Sequence, residues 1–270
     1  PVDQEPVGSG QATGGVLPIG GIVLGMDHGA DILHSRRVGL ALSGGAVRGL
    51  AHIGVVKVLE EWGVRPVAIA GTSAGSLVGA MLAAGLRSAE MARIARSVFW
   101  PALLNGERLV DFCQTHLPGD FAGLELPFAA VATDVDAREA IAITSGPLAP
   151  ALSASCAVRV VRRPVRHLGR RLKDGGIACV LPTEACRDLG ADFVIGSDVW
   201  ELSWMLRTFG VRHGHPRAGA LYPRQFRVAA GHAQVLLQPA IPFRAYVPGP
   251  EAVDLLVAEG ERAARAALAA

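Results

Sequence analysis

The sequence is poor in aromatic residues, at 5%, and carries only four cysteines in 270 residues. Cys113, Cys156, Cys179 and Cys186 form no CxxC pair and have no histidine at zinc-ligand spacing. That excludes a zinc finger or ribbon and a disulfide framework. The four read as small buried hydrophobes of a reducing, cytoplasmic compartment. A surplus of one charge is missing too: the formal net charge is +2, which says little about partners. There is no G-x-G-x-x-G, and no lysine follows a glycine-rich loop at P-loop spacing, so nucleotide binding has little support. No internal repeat or low-complexity tract is visible, and no cofactor or metal is expected. Half of the residues are hydrophobic, too many for a disordered chain.

Long apolar runs are nearly absent. The stretch 67–86, VAIAGTSAGSLVGAMLAAGL, has the length to span a bilayer, but it contains Thr72, Ser73, Ser76 and four glycines. A buried strand, turn and helix fit it better. Residues 11–26 are glycine-rich, broken by Pro18 and preceded by Asp3 and Glu5, which makes a poor signal peptide. No charge run or Ser/Pro-rich linker divides 38–270, so that span reads as one domain, long enough to bury its own core. Residues 1–37 read as a loosely packed N-terminal extension.

The charge that is present is unevenly placed. Arg159, Arg162, Arg163, Arg166, Arg170, Arg171 and Lys173 crowd one segment. It is either a solvated loop or a patch facing anionic headgroups at the inner membrane face, at about 1 kcal/mol per basic residue. No aromatic stacking platform accompanies it, which argues against nucleic acid. Between 200 and 231 lie Trp200, Trp204, Phe209, Tyr222 and Phe226, read as core packing rather than a membrane-facing lid.

Apolar runs with strand length occur at 38–43, 67–70, 127–134, 140–144, 191–199 and 233–239. Helical spacing marks 48–62, a stretch from about 71 through Ala84 stopped by Gly85, 88–99, 183–189 and the amphipathic 251–268. Continuously apolar strands alternating with helices predict an α/β fold with a mainly parallel sheet covered on both faces.

Gly71-Thr72-Ser73-Ala74-Gly75 is a G-x-S-x-G pattern between a predicted strand and a predicted helix, the context in which that pattern presents a serine nucleophile. Gly71 and Gly75 remove the clashes that such a tight turn would otherwise produce. The serine then sits at a helix N-terminus, where free N–H groups favour developing negative charge. Upstream, Ser43-Gly44-Gly45-Ala46-Val47-Arg48-Gly49 ends a strand and opens a helix. Amides of Gly44, Gly45 and Ala46, with that of Ala74, are candidate donors to the oxyanion of an acyl intermediate. Asp174-Gly175-Gly176 is by itself only a turn signal.

Taken in order, SGGAVRGLAHIGVVKVLEE, GTSAG, FAAVATDVDAREAIAITSG, SASCA and DGG, followed by LP and LGADFVIGSDV, resemble bacterial patatin-like phospholipases. The resemblance runs over 38–199, about 60% of the chain. It implies a three-layer α/β/α fold and a catalytic dyad of Ser73 and Asp174. It further implies an oxyanion hole at Gly44, Gly45 and Ala46, with Arg48 holding that loop. It departs from the family at Ala46, where a third glycine is usual, at 158–164, and at Cys179 and Val180, where asparagines are common. The expected activity is hydrolysis of carboxylic esters in phospholipids or lysophospholipids through an acyl-Ser73 intermediate. A carboxylesterase for small soluble esters, or a lipid-binding pseudoenzyme, would carry many of the same motifs. A triad using His213, His215 or His232 is a further alternative, although none of these stands in a motif.

Overall fold

The computed structural model describes residues 29–158, 161–200, 229–246 and 249–268. Apolar runs bounded by glycine or turn residues become the buried strands β1 (Val38–Leu42), β2 (Ala68–Thr72), β3 (Phe128–Asp134) and β7 (Phe193–Ser197), every residue of which is buried. Shorter or more exposed strands are β4 (Glu139–Ile143), β5 (Val165–His167), β6 (Arg170–Asp174) and β8 (Val235–Leu237). The eight form one sheet in the order β5-β6-β3-β2-β1-β7-β8, with β4 also paired to β3.

Pairings β2–β3, β1–β2, β1–β7 and β7–β8 are parallel, whereas β3–β4, β3–β6 and β5–β6 are antiparallel. The sheet is therefore mixed, and the expected mainly parallel character belongs to its centre. The β5–β6 hairpin had no apolar run to announce it, because arginines alternate there with the single buried Leu172.

The register along β3 sets up the site. Parallel pairing with β2 ends at Thr72 opposite Val131. Antiparallel pairing with β6 ends at Asp174 opposite Ala132, the next residue. The ends of β2 and β6 thus meet at neighbouring positions of β3, which brings Ser73 to Asp174.

One face of the sheet sends Leu40, Leu42 and Ile69 into a large core. Helices α2 (Ala51–Glu61), α3 (Ala74–Ala83), α4 (Ser88–Ser97), α5 (Gly106–His116), α6 (Leu148–Ser155) and α8 (Pro250–Leu268) contribute to that core. The other face presents Ala41, Ala68, Ala70 and Ala129 to α7 (Thr183–Asp188), a thinner layer that such small side chains allow to approach closely. Helices α2 and α8 cross at Gly54 and Gly260, where a Cβ on either would strike the other helix's backbone. A helix α1 (Gly29–His34) lies within the stretch read as a loose extension, and its Leu33 is buried in the main core.

Candidate active site

Strand β2 ends at Thr72 and α3 begins at Ala74, leaving a single residue to turn the chain. That residue is Ser73, at φ 52° and ψ −124°, a conformation that costs an L-residue about 1–3 kcal/mol. The turn is tight enough that a Cβ on Gly71 would run into the Gly75 backbone, and one on Gly75 into the carbonyls of Leu42 and Ser43. Side-chain hydroxyls secure the strained residue from both ends. Ser73 N–H donates to Ser155 Oγ at 2.9 Å, Ser155 Oγ donates to the Val131 carbonyl at 2.6 Å, and Ser76 Oγ donates to the Ser73 carbonyl at 2.6 Å.

Ser73 Oγ donates to Asp174 Oδ2 at 2.7 Å. The second carboxyl oxygen, Oδ1, accepts from the Gly176 N–H at 2.9 Å. Asp174 closes β6, and its carbonyl accepts from Thr133 Oγ1 at 2.8 Å, which fixes the strand end against β3. Burial pushes the Asp174 carboxyl above the ordinary carboxylate range, opposed by the hydrogen bonds from Ser73 and Gly176. A carboxylate raised in this way has a stronger affinity for a proton from a neighbouring hydroxyl.

The glycine-rich loop lies against the elbow. Gly44 N–H donates to the Val180 carbonyl at 3.1 Å, so it is already engaged and the expected donor set shrinks. The N–H groups of Gly45, Ala46 and Ala74 have no hydrogen-bond acceptor among the described residues. Ala46 takes φ 51°, which explains why a glycine is usual there: this chain places a methyl on a left-handed backbone. Arg48 Nε donates to the Gly45 carbonyl at 2.9 Å. Gly49 abuts Ala74, and Gly175 abuts the Val131 carbonyl.

Ser73, Asp174, Gly45, Ala46 and Ala74 all border one cavity of about 500 Å³. Apart from Arg48 beside the loop, its remaining wall is largely apolar, with Leu77, Trp100, Leu103, Leu109 and Val158 among its members, and Leu104 and Ile177 stand exposed while lining it. A larger groove of about 770 Å³ runs between β4 and α7, and among the described residues no hydroxyl or thiol in it is hydrogen-bonded to a carboxylate.

Other sequence expectations resolve unevenly. His213 and His215 lie outside the described residues, as do Arg159, Trp204, Phe209, Tyr222 and Phe226. His232 pairs with Glu184 at 3.4 Å, and Glu184 borders the other groove. Trp200 lines the cavity. Three cysteines are buried, while Cys179 is only partly so. Most of the basic segment is occupied: Arg170 pairs with Asp134 and Arg171 with Asp136, both at 2.7 Å. Arg162 turns inward, donating to the Ser153 carbonyl at 2.9 Å and to its Oγ at 2.8 Å. Arg163 and Arg166 alone of the described arginines in the segment are exposed without a carboxylate partner among the described residues. Sequence reasoning missed Ser155 and Thr133 as supports; only the SASCA run hinted at the first. Among the described residues, no three potential metal ligands of the His, Cys, Asp and Glu types stand together.

Fold and site together define an α/β protein with a serine on a strand–helix elbow, hydrogen-bonded to a half-buried carboxylate beside a glycine-rich loop. The patatin-like phospholipase profile matches residues 40–187, more than half of the sequence, and the chain belongs to that family. It is 38% identical over 175 residues to an uncharacterised NTE family protein of Mycobacterium tuberculosis, covering 60% of this chain and 48% of that one. It is 32% identical over 189 residues to human patatin-like phospholipase domain-containing protein 6, covering 63% of this chain and 14% of that one. Lysophospholipase nte1 of Aspergillus fumigatus is 31% identical over 185 residues, with coverages of 62% and 12%. The chain thus spans half or less of the length of these curated relatives. Among solved structures, VipD from Legionella pneumophila superposes with a TM-score of 0.53 at 13% identity, covering 86% of this chain and 67% of that one, a likeness of fold alone.

Proposed function

We propose that the chain is a serine lipid acyl hydrolase that cleaves carboxylic esters of phospholipids or lysophospholipids through an acyl-Ser73 intermediate. The observation that carries the reading is the 2.7 Å hydrogen bond from Ser73 Oγ to a half-buried carboxylate at the mouth of a largely apolar cavity. Asp174 accepts the Ser73 proton as Oγ attacks the ester carbonyl, and the oxyanion that forms takes hydrogen bonds from the amides of Gly45, Ala46 and Ala74. Collapse of the tetrahedral species breaks the bond to the leaving alcohol, which takes the proton back from Asp174. Water then loses a proton to Asp174 and attacks the acyl-serine, and as the bond to Oγ breaks Asp174 returns that proton to Oγ, releasing the fatty acid and restoring the Ser73 hydroxyl. No cofactor is required by this sequence of steps.

An acyl chain suits the cavity because its wall beyond the polar edge is apolar. A regulatory protein without turnover would have no use for a serine held in a strained conformation against a base, which favours an enzyme. The named lysophospholipase relative supports a lipid substrate. Among the described residues no helix is long and apolar enough to cross a membrane, so access to lipid is proposed to be peripheral. Hydrolysis measured over a panel of phospholipids, lysophospholipids and short-chain nitrophenyl esters tests the reading. Activity that rises sharply once the substrate aggregates is expected; equal turnover of monomeric soluble esters and no lipid cleavage would favour a general carboxylesterase.

A further inference from the structure

Val158 lines the cavity, and shortly after it the chain carries one arginine that turns inward. Arg162 is half-buried and does not itself border the cavity. Its Nη1 donates to the Ser153 carbonyl at 2.9 Å and its Nη2 to Ser153 Oγ at 2.8 Å. In a continuing α-helix that carbonyl would accept from Ala157, but the Ala157 N–H donates to the Ala154 carbonyl at 3.1 Å instead. The guanidinium therefore closes the C-terminal end of α6, where a helix favours positive charge.

The same guanidinium packs on the first residue of α5. Gly106 opens that helix behind the Asn105 cap, and a Cβ on it would strike Arg162 Nη2. Glycine is a poor helix former, and here its bare backbone leaves the space that the guanidinium fills. The backbone of Arg162 is tied as well. Its N–H donates to the Val158 carbonyl at 3.0 Å, and its carbonyl accepts from Lys173 Nζ at 3.1 Å, on the strand that ends in Asp174. One residue thus joins α6, the start of α5 and β6. Parts of the cavity wall hang on those joints: Leu103 and Leu104 precede Gly106, Leu109 lies one turn beyond it, and Cys156 and Val158 lie between Ser153 and Arg162.

We infer that Arg162 is a positioning residue for the acyl chain: it braces α5 against α6 from outside the cavity and so sets the width into which the chain fits. The inference rests on the cavity taking an acyl chain, as proposed above. The reacting groups have ties of their own. Ser73 is held by Ser155 and Ser76, and Asp174 by Gly176, by Thr133 and by its own N–H on the Ala157 carbonyl at 3.0 Å. Loss of the brace reaches the fit of a long chain before it reaches the chemistry.

The test compares the parent chain with Arg162→Met, Arg162→Lys and Gly106→Ala on nitrophenyl butyrate and nitrophenyl decanoate, both below their aggregation concentrations. Arg162→Met keeps the apolar stem and removes every donor. It should raise KM for the decanoate about tenfold, the lower end of what one methylene is worth in a hydrophobic pocket. Turnover of both esters, and KM for the butyrate, should stay within about twofold, because only binding of the long chain is lost. Arg162→Lys should recover part of the loss, since it keeps the charge at the helix end but not the planar fork. Gly106→Ala pushes the guanidinium away from the other side and should give the same selective rise in KM. Alanine is the better helix former, so this variant carries the test if Arg162→Met does not fold. Equal loss on both esters, or an unchanged decanoate KM in a folded variant, would overturn the inference. Failure of the underlying reading looks different: the parent chain itself would cleave neither ester, or would treat the two alike.

Discussion

Ser73 sits on a glycine-packed elbow tied by the Ser155 and Ser76 hydroxyls inside the parallel centre of the sheet, whereas Asp174 closes an antiparallel arm and is held by Thr133 and the Gly176 amide. On the serine side, β1 and β2 are wholly buried and Gly71 and Gly75 let the elbow close on itself. The aspartate side rests on Thr133, on the β3–β6 register and on the Arg170–Asp134 ion pair, and of the five residues of β6 only Leu172 is buried. A site assembled this way has one rigid partner and one partner set by distant pairing. The two halves therefore fail differently when altered.

The largest effect belongs to the serine half. Ser73→Ala should lower ester hydrolysis by on the order of 10⁴-fold or more, with circular dichroism and Tm nearly unchanged, because the elbow is fixed by glycines rather than by the hydroxyl. Retained turnover in a folded Ser73→Ala would break the comparison at its stronger side. Next comes Asp174→Asn, for which kcat should drop by on the order of 10²–10⁴. The same change tests the electrostatics. Burial raises the Asp174 pKa, so the folded state holds a proton that the unfolded state has lost, and stability falls as pH rises from the ordinary carboxylate value through the raised one. Asp174→Asn should accordingly have the higher Tm at neutral pH, an advantage that shrinks in acid. Activity runs the other way, since the base must be ionised: kcat/KM of the parent chain should decline as pH falls through the raised value. A Tm advantage that persists in acid would assign the gain to something other than this carboxyl.

Ser155 joins the halves, since it accepts from the Ser73 amide and donates to Val131 on β3. Ser155→Ala leaves a buried amide and carbonyl without partners and should cost about 1–3 kcal/mol in urea unfolding. A rate loss of about tenfold, the consequence of roughly 1.4 kcal/mol at the transition state, should accompany it. Stability loss with full activity would mean that the elbow does not need this tie. The smallest effect concerns the basic segment. With Arg162 turned inward and two neighbours paired, Arg163→Gln with Arg166→Gln should weaken binding to anionic vesicles by about 2 kcal/mol at low salt. Hydrolysis of a soluble ester should stay the same. No change on vesicles would leave the exposed Leu104 and Ile177 as the features that meet lipid.

The difference between the halves also explains what the sequence revealed. Glycine spacing and continuous apolar runs are local signals, so β1, β2, α3 and the elbow at Ser73 were legible within a few residues of their true bounds. Asp174 could be read only as a turn until the order of motifs suggested the family, because its placement depends on pairing Ala132 with a residue 42 positions later. The β5–β6 hairpin was hidden by its arginines, of which Arg170 and Arg171 pair with Asp134 and Asp136. Helices α5 and α6 were also missed, the second because LAPALSAS carries little amphipathic contrast. The engagement of Gly44 with Val180 and the role of Ser155 involve contacts across the fold that no spacing rule encodes.

The central claim is that Ser73 is the nucleophile activated by Asp174, and covalent trapping tests it most directly. The chain is treated with an alkyl fluorophosphonate and the adduct is located by peptide mass mapping. A single adduct on the Ser73 peptide is predicted, absent in Ser73→Ala and formed far more slowly in Asp174→Asn. An adduct on a different residue, or hydrolysis by a chain that Ser73-directed phosphonylation leaves active, would contradict the account.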